Sequence, residues 1–317
     1  MRIAELILPV FAVIVTGWIV GYTGYLSRQL SDALIHFAYN IAMPALLIVT
    51  IAQEPGRSLI NWRFLAAFGG GSLLCFILVL GAMSLRGSRS LASRTMNGMA
   101  ASMTNTGFVA LPVLQSIYGP RAVLPAAIAT VFVAVVMFPL AVVLLEVNQR
   151  DDHGDRTPAT ATLTHVVLNP LVISTLVGMM LSIAGLRMPG PVTAYLNIMA
   201  DALTPCALFA IGLGLSLGGL RANIGQASLL SVVKLVIMPL IVYGLSVSLG
   251  LDPLYTIAAV ICAAVPTAKT VYILAGEYHC EEMMVASTVS MTTLISVISL
   301  VIWLYALSGI AARILAR

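Results

Sequence analysis

The sequence predicts an all-α polytopic membrane protein. It has ten transmembrane helices in two inverted five-helix repeats, with a crossover of broken helices 4 and 9. Three observations predict this. Hydrophobic residues make up 60% of 317 and charged residues only 9%, where a soluble domain carries about 25% charge; mean hydropathy is +1.03. The apolar residues form continuous runs of about 20, the length of a bilayer-spanning helix. Two polar interruptions recur at nearly one interval along the chain. Aromatic residues, at 7%, are too few for the girdles of a membrane β-barrel.

The runs are Ile3–Gly24, Ala33–Ala52, Phe64–Leu85, Thr95–Tyr118 and Ala122–Leu145, then His165–Ala184, Val192–Leu217, Ala227–Leu249, Leu254–Ala275 and Met283–Ala306. Met1-Arg2 and the first run superficially resemble a secretory signal. No small-x-small cleavage site closes the run, so it reads as a span. Five runs precede the one long polar segment, Glu146–Thr164, and five follow it. Two halves with an odd number of spans have opposite orientations, as an inverted repeat requires. Residues 1–146 then form the first repeat, 147–164 a cytoplasmic loop and 165–317 the second repeat.

Internal similarity supports the division. Asn40-xxx-Pro44 in the second run matches Asp201-xxx-Pro205 in the seventh, 161 residues on. Nearly the same interval carries Thr104-Asn105-Thr106-Gly107 onto Pro266-Thr267-Ala268-Lys269. Proline removes a donor and clashes with the preceding turn. Small polar residues and glycine weaken a helix by propensity. In lipid, unwound backbone is tolerated only against protein or a cavity. The fourth and ninth spans are therefore expected to break at equivalent places and cross, with Pro44, Pro112 and Pro205 kinking the helices around them. A packed kink is the plainer alternative for each break.

Of 16 basic residues only two are lysines, Lys234 and Lys269, and both lie inside apolar runs. There is no basic stripe for nucleic acid. Short-loop arginines divide into Arg28, Arg86, Arg89, Arg94, Arg150, Arg156 and Arg221 on one side and Arg57, Arg63, Arg121 and Arg187 on the other. By the positive-inside rule the first side is cytoplasmic. Both termini are then extracytoplasmic in a cell inner (plasma) membrane.

The crossing is the candidate binding site. Half-helix N-termini attract an anion. Asn105, Thr106, Gly107, Pro266, Thr267 and Thr270 supply backbone and neutral hydrogen-bonding groups, and Lys269 supplies a positive charge. That charge points to an anionic ligand. It could equally be structural, neutralising half-helix C-termini, pairing with Asp201, or standing where a sodium ion would bind. Asp201 is the one acidic residue well inside a span, and Asn40 is its repeat mate. A coupling role or an ion pair with Lys269 or Lys234 is expected of it. Lys234 itself could snorkel or pair with Asp201.

The remaining patterns are structural. Cys75, Cys206, Cys262 and Cys280 form no CxxC. No two histidines have ligand spacing, so no metal and no cofactor is expected. Gly214-x-Ser-x-Gly218 lacks a preceding strand and reads with Gly17-xxx-Gly21 as small-residue helix packing. Glu277, Glu281 and Glu282 read as a solvated helix end. No nucleophile–base set suggests an enzyme.

Asn105-Thr-Gly-Phe108 with Pro112, Pro266-Thr-Ala268 followed by Tyr272-Ile-Leu-Ala-Gly-Glu-Tyr278, and Asn40-xxx-Pro44 together resemble bacterial members of the auxin efflux carrier family, along the whole chain. The resemblance implies ten spans, inverted repeats, and a crossover at paired prolines. It also implies a scaffold similar to bile-acid symporters and sodium/proton antiporters, two parts that move in an elevator-like way, and often a homodimer. Bacterial relatives are linked to malate, malonate or other carboxylates. Two departures stand out: the fourth span has no proline at its break, and Lys269 replaces a small or apolar residue. The function expected is alternating-access transport of a small organic anion, a mono- or dicarboxylate or an auxin-like acid. Proton coupling through Asp201 is expected ahead of sodium coupling. The alternatives are a cation/proton antiporter on the same scaffold and a membrane receptor or sensor.

Overall fold

The computed structural model describes residues 3–27, 29–53, 61–87, 90–153, 170–214, 224–307 and 309. Among them every named element is helical. In chain order these are α1 (Ile3–Tyr22), α2 (Gln29–Gln53) and α3 (Trp62–Leu85), α4 (Leu91–Ser102), and α5 (Thr106–Tyr118) and α6 (Pro120–Asn148). There follow α7 (Pro170–Ile183), α8 (Gly190–Asp201), α9 (Leu203–Leu213) and α10 (Ile224–Ser248). The last three are α11 (Pro253–Ala264), α12 (Lys269–Glu277) and α13 (Glu282–Ala306).

Among the described residues six helices are long and apolar enough to cross a membrane: α2, α3, α6, the α8–α9 pair, α10 and α13. Shorter apolar helices occupy the first, fourth, sixth and ninth predicted runs. The helix of α6 continues to His153, so residues 147–153 of the expected loop are helical. The polar segment beyond it, the Leu215–Gly218 part of the glycine-serine motif, and Arg28, Arg57, Arg89, Arg156 and Arg221 lie outside the described residues.

The chain divides into two units. The first is Met1–Trp62, Gly107–Val131 and Val167–Leu215. In it α1 packs along α9, and α2 packs against α7 and α8. Glycine makes the α1–α9 approach feasible. A Cβ on Gly212 would lie 1.9 Å from the Ile14 carbonyl oxygen, and one on Gly17 would lie 2.2 Å from that of Phe209. The Gly17-xxx-Gly21 pattern is thus an intramolecular packing face. The second unit is Arg63–Thr106, Phe132–Val166 and Ser216–Arg317. In it α3 packs on α4 and α10, and α13 packs on α10, α11 and α12.

Prolines shape the long helices in a regular way. Single π turns span Ala38–Ala42, Thr106–Ala110, Val133–Met137 and Val233–Ile237. Two residues after each stands a proline: Pro44, Pro112, Pro139 and Pro239. Proline cannot donate to the carbonyl four residues back and collides with it. Widening the turn before it moves the bonds to the i−5 carbonyl, as Met43 N–H to Ala38 O and Met238 N–H to Val233 O show. A fifth π turn, Leu65–Gly69, precedes the Gly70-Gly71 pair. Pro205 behaves differently: it is the third residue of α9, after a helix interruption at Ala202.

Candidate functional site

Two helices of the second unit end facing each other's strands. α11 starts at Pro253, whose fixed φ suits a first helical position, and stops before Pro266. A residue preceding proline is driven out of the α region, and Val265 is extended at φ −68°, ψ 158°. α4 has no such proline. It starts at Ser90, whose hydroxyl accepts the Ser93 N–H at 3.3 Å. Its end is rich in residues that compete for backbone bonds, and Ser102 Oγ returns to the Gly98 carbonyl at 2.7 Å. Met103 is then extended at φ −81°, ψ 111°.

The two extended pieces pair as a single antiparallel bridge, Thr104 with Thr267. Asn105 N–H donates to Pro266 O and Ala268 N–H donates to Met103 O, both at 2.9 Å. Exchanging Thr104 with Thr267 exchanges these two bonds, so the crossing has local two-fold symmetry. The matching interval is 163 residues, slightly longer than the spacing read from the sequence. Lys269 is therefore the counterpart of Thr106, not of Gly107.

The bridge is buried. Thr104 and Thr267 are each 1% exposed, Asn105 9% and Thr106 2%. The Thr267 hydroxyl donates to Ala100 O at 2.6 Å, and its N–H donates to Thr292 Oγ1 at 3.2 Å. Thr267 is thus a structural cap that ends α4 where a proline is missing. The hydroxyls of Thr104 and Thr270 are buried and have no hydrogen-bond partner among the described residues. Unpaired buried hydroxyls are costly; Thr104 stands in the bridge and Thr270 is the second residue of α12. Lys269, half-buried, is the first residue of α12. A cation at a helix N-terminus opposes the helix dipole, so the place is electrostatically suited to an anion.

The lysine at the carboxyl end is Lys234. It is fully buried, and its ammonium donates to Ala263 O in the last turn of α11. It does not snorkel. The structural role that the sequence left open for Lys269, neutralising a half-helix C-terminus, is filled here by Lys234.

The other predicted site residues have the following surroundings. Gly107 is buried in the first unit, where a Cβ would meet Met43 Cε at 2.7 Å and Thr130 Cγ2 at 3.3 Å. Asn40 sits in the Ala38–Ala42 π turn, exposed, its amide donating to His36 O at 2.9 Å. Asp201 is exposed at the last position of α8. Glu281 is not a solvated helix end: it is left-handed at φ 57° and accepts the Ser93 hydroxyl at 2.6 Å. Nearby, outside the spans, burial and the Glu146 and Glu277 carboxylates push the Tyr278 phenol up to about 12.

Comparisons with known proteins find relatives along nearly the whole chain. The family described as "Membrane transport protein" matches residues 2–304. A protein of Rhizobium meliloti (strain 1021) described as "Putative malonate transporter" is 26% identical over 313 residues, covering 96% of this chain and 95% of that protein. An "Uncharacterized transporter" of Methanothermobacter thermautotrophicus is 26% identical over 307 residues, covering 96% and 98%. "Auxin efflux carrier component 2" of Oryza sativa subsp. japonica is 26% identical over 168 residues, covering 48% of this chain and 26% of that protein.

Proposed function

Because the chain belongs to the membrane transport protein family, that of the auxin efflux carriers, we propose that it is a secondary carrier of small organic anions. It binds a mono- or dicarboxylate at the crossing and exposes it alternately to the two sides of the membrane. The observations that carry this reading are that Lys269 stands at the amino end of α12 beside the crossing and that the Thr104 and Thr270 hydroxyls there lack partners among the described residues. A carboxylate would accept from all three and complement the half-helix dipole. Asn105 follows Thr104 in the same extended piece, Thr106 opens α5, and Pro266 lies in the facing extended piece. The malonate assignment of one relative supports a short dicarboxylate.

Six long apolar helices and four shorter ones among the described residues support a count of ten. The two-fold character of the bridge supports inverted repeats. Arginine placement supports extracytoplasmic termini in the inner membrane. Asp201 and Asn40, at matched positions beside Pro205 and Pro44, are the candidates for proton coupling. A homodimer is the expected assembly.

A thermal-shift screen of the purified chain against malonate, malate, succinate and monocarboxylates, at two pH values, tests the reading. Malonate-sized anions should stabilise the wild type and should lose most of that effect in Lys269→Ala. If no carboxylate stabilises the protein and Lys269→Ala leaves uptake unchanged, the anion reading fails.

A further inference from the structure

The two helices that end at the crossing are closed by different chemistry. At α4 the last carbonyls meet neutral donors: Ala100 O the Thr267 hydroxyl at 2.6 Å, Ala101 O the Cys75 thiol at 3.6 Å, and Met103 O the Ala268 N–H at 2.9 Å. At α11, Ile261 O receives the Val265 N–H at 3.1 Å, but Ala263 O receives an ammonium, that of Lys234. Lys234 sits in the Val233–Ile237 π turn of α10, 0% exposed. Its other polar neighbour is Met238 Sδ at 3.7 Å. The titratable groups that act on it are two thiols, Cys75 and Cys262. Among the described residues no carboxylate pairs with it.

A buried ammonium without a carboxylate is costly unless something else carries negative charge. The carboxyl end of α11 does, with the partial negative charge of its closing carbonyls. In carriers built on broken helices, unwound carbonyls and half-helix carboxyl ends are the groups that coordinate a coupling cation. Here one of those carbonyls is already taken, by a cation that cannot leave.

We propose that Lys234 is the resident cation of the crossing, standing at the carboxyl end of α11 in place of a bound metal cation and so making the carrier independent of sodium. This rests on the carrier reading above. The tether fixes the stoichiometry: the charge at this position never exchanges with solution, so a sodium gradient has no purchase here. Lys234 is a positioning residue and touches no substrate in this account. Lys269, at the amino end of α12, belongs to the anion site proposed above.

Ligand-free thermal unfolding of the full chain tests this apart from transport. Wild type, Lys234→Ala and Lys234→Met are compared in sodium, lithium, potassium and choline chloride at one ionic strength. Wild type should melt at the same temperature in all four salts. Lys234→Ala, which opens the space, should melt lower in choline and recover several degrees in sodium or lithium. Lys234→Met, which fills the space without charge, should stay low in every salt. A wild type stabilised by sodium over choline overturns the proposal. So does a Lys234→Met that melts with wild type, or a Lys234→Ala blind to the cation. If neither variant folds, the wild-type series decides, with malonate uptake into proteoliposomes compared in sodium and choline; unequal rates reject the proposal and equal rates support it. A wild type that takes up no carboxylate removes the carrier reading, while the melting series still judges Lys234.

Discussion

The indole N–H of Trp303 donates to the carbonyl of Leu235 at 2.9 Å. Leu235 lies four residues before Pro239, so this is the carbonyl that the missing proline N–H abandons. Leu235 is 2% exposed, and water cannot substitute. The contact ties α13 to the π turn that carries Lys234. Trp303→Phe keeps an aromatic ring but strands the acceptor, which costs about 1–3 kcal/mol. The melting temperature should fall. In a Pro239→Ala background a backbone N–H returns to the helix, and the same Trp303→Phe change should cost clearly less. A double-mutant cycle measures this coupling; additive losses would mean that Trp303 acts by packing alone.

Thr104 and Thr267 face each other across one bridge but have opposite duties. Thr267 Oγ1 holds the Ala100 carbonyl, whereas Thr104 Oγ1 has no protein partner. Thr267→Val should therefore destabilise the fold by about 1–3 kcal/mol, the cost of an orphaned buried acceptor. Thr104→Val removes an unpaired hydroxyl and should leave the melting temperature unchanged or raise it. Its effect should fall on the ligand instead. A bond to a charged group is worth about 1.5–3 kcal/mol, so carboxylate affinity should drop about tenfold or more. Calorimetric titration with the best anion from the screen reads this out. A Thr104→Val protein that unfolds as early as Thr267→Val would show the hydroxyl to be structural.

What the sequence made visible were the features with a local cause. Long apolar runs placed the spans, and Pro266 placed the break after Val265, because proline acts on its own neighbour. Four further prolines each follow a π turn, a rule readable in principle from their positions. The break in α4 was signalled by Thr104 and Asn105, but its closure was not. The hydroxyl that ends that helix comes from Thr267, and no local pattern announces a long-range partner. Lys234 was conspicuous as a buried charge. Its partner could not be read, since every residue has a backbone carbonyl and Ala263 looks like its neighbours. Glu281 was taken for a solvent-facing carboxylate because it belongs to an acidic turn; only the packing of that turn brings Ser93 to it.

Two glycines separate close packing from ligand access. Gly212 meets backbone: a methyl group there would sit 1.9 Å from Ile14 O, and Ile14 belongs to the facing helix. Relief requires α1 and α9 to move apart along their shared length, exposing Leu213, which is buried against Gly17 and Gly21 of α1. Gly107 meets the end of a methionine, Met43 Cε at 2.7 Å, and methionine has three rotatable bonds with which to yield. Gly212→Ala should therefore abolish a monodisperse, folded product. Gly107→Ala should fold, with an overpacking cost of about 1–3 kcal/mol, and should keep its carboxylate affinity. Size-exclusion profiles and melting curves compare the two. Gly107 is expected at the anion site from the sequence, and the neighbours that an added methyl group would meet there are Met43 and Thr130. A Gly107→Ala protein that melts like wild type but no longer binds malonate would return Gly107 to the site, and the account of the crossing would then have to extend beyond Thr106.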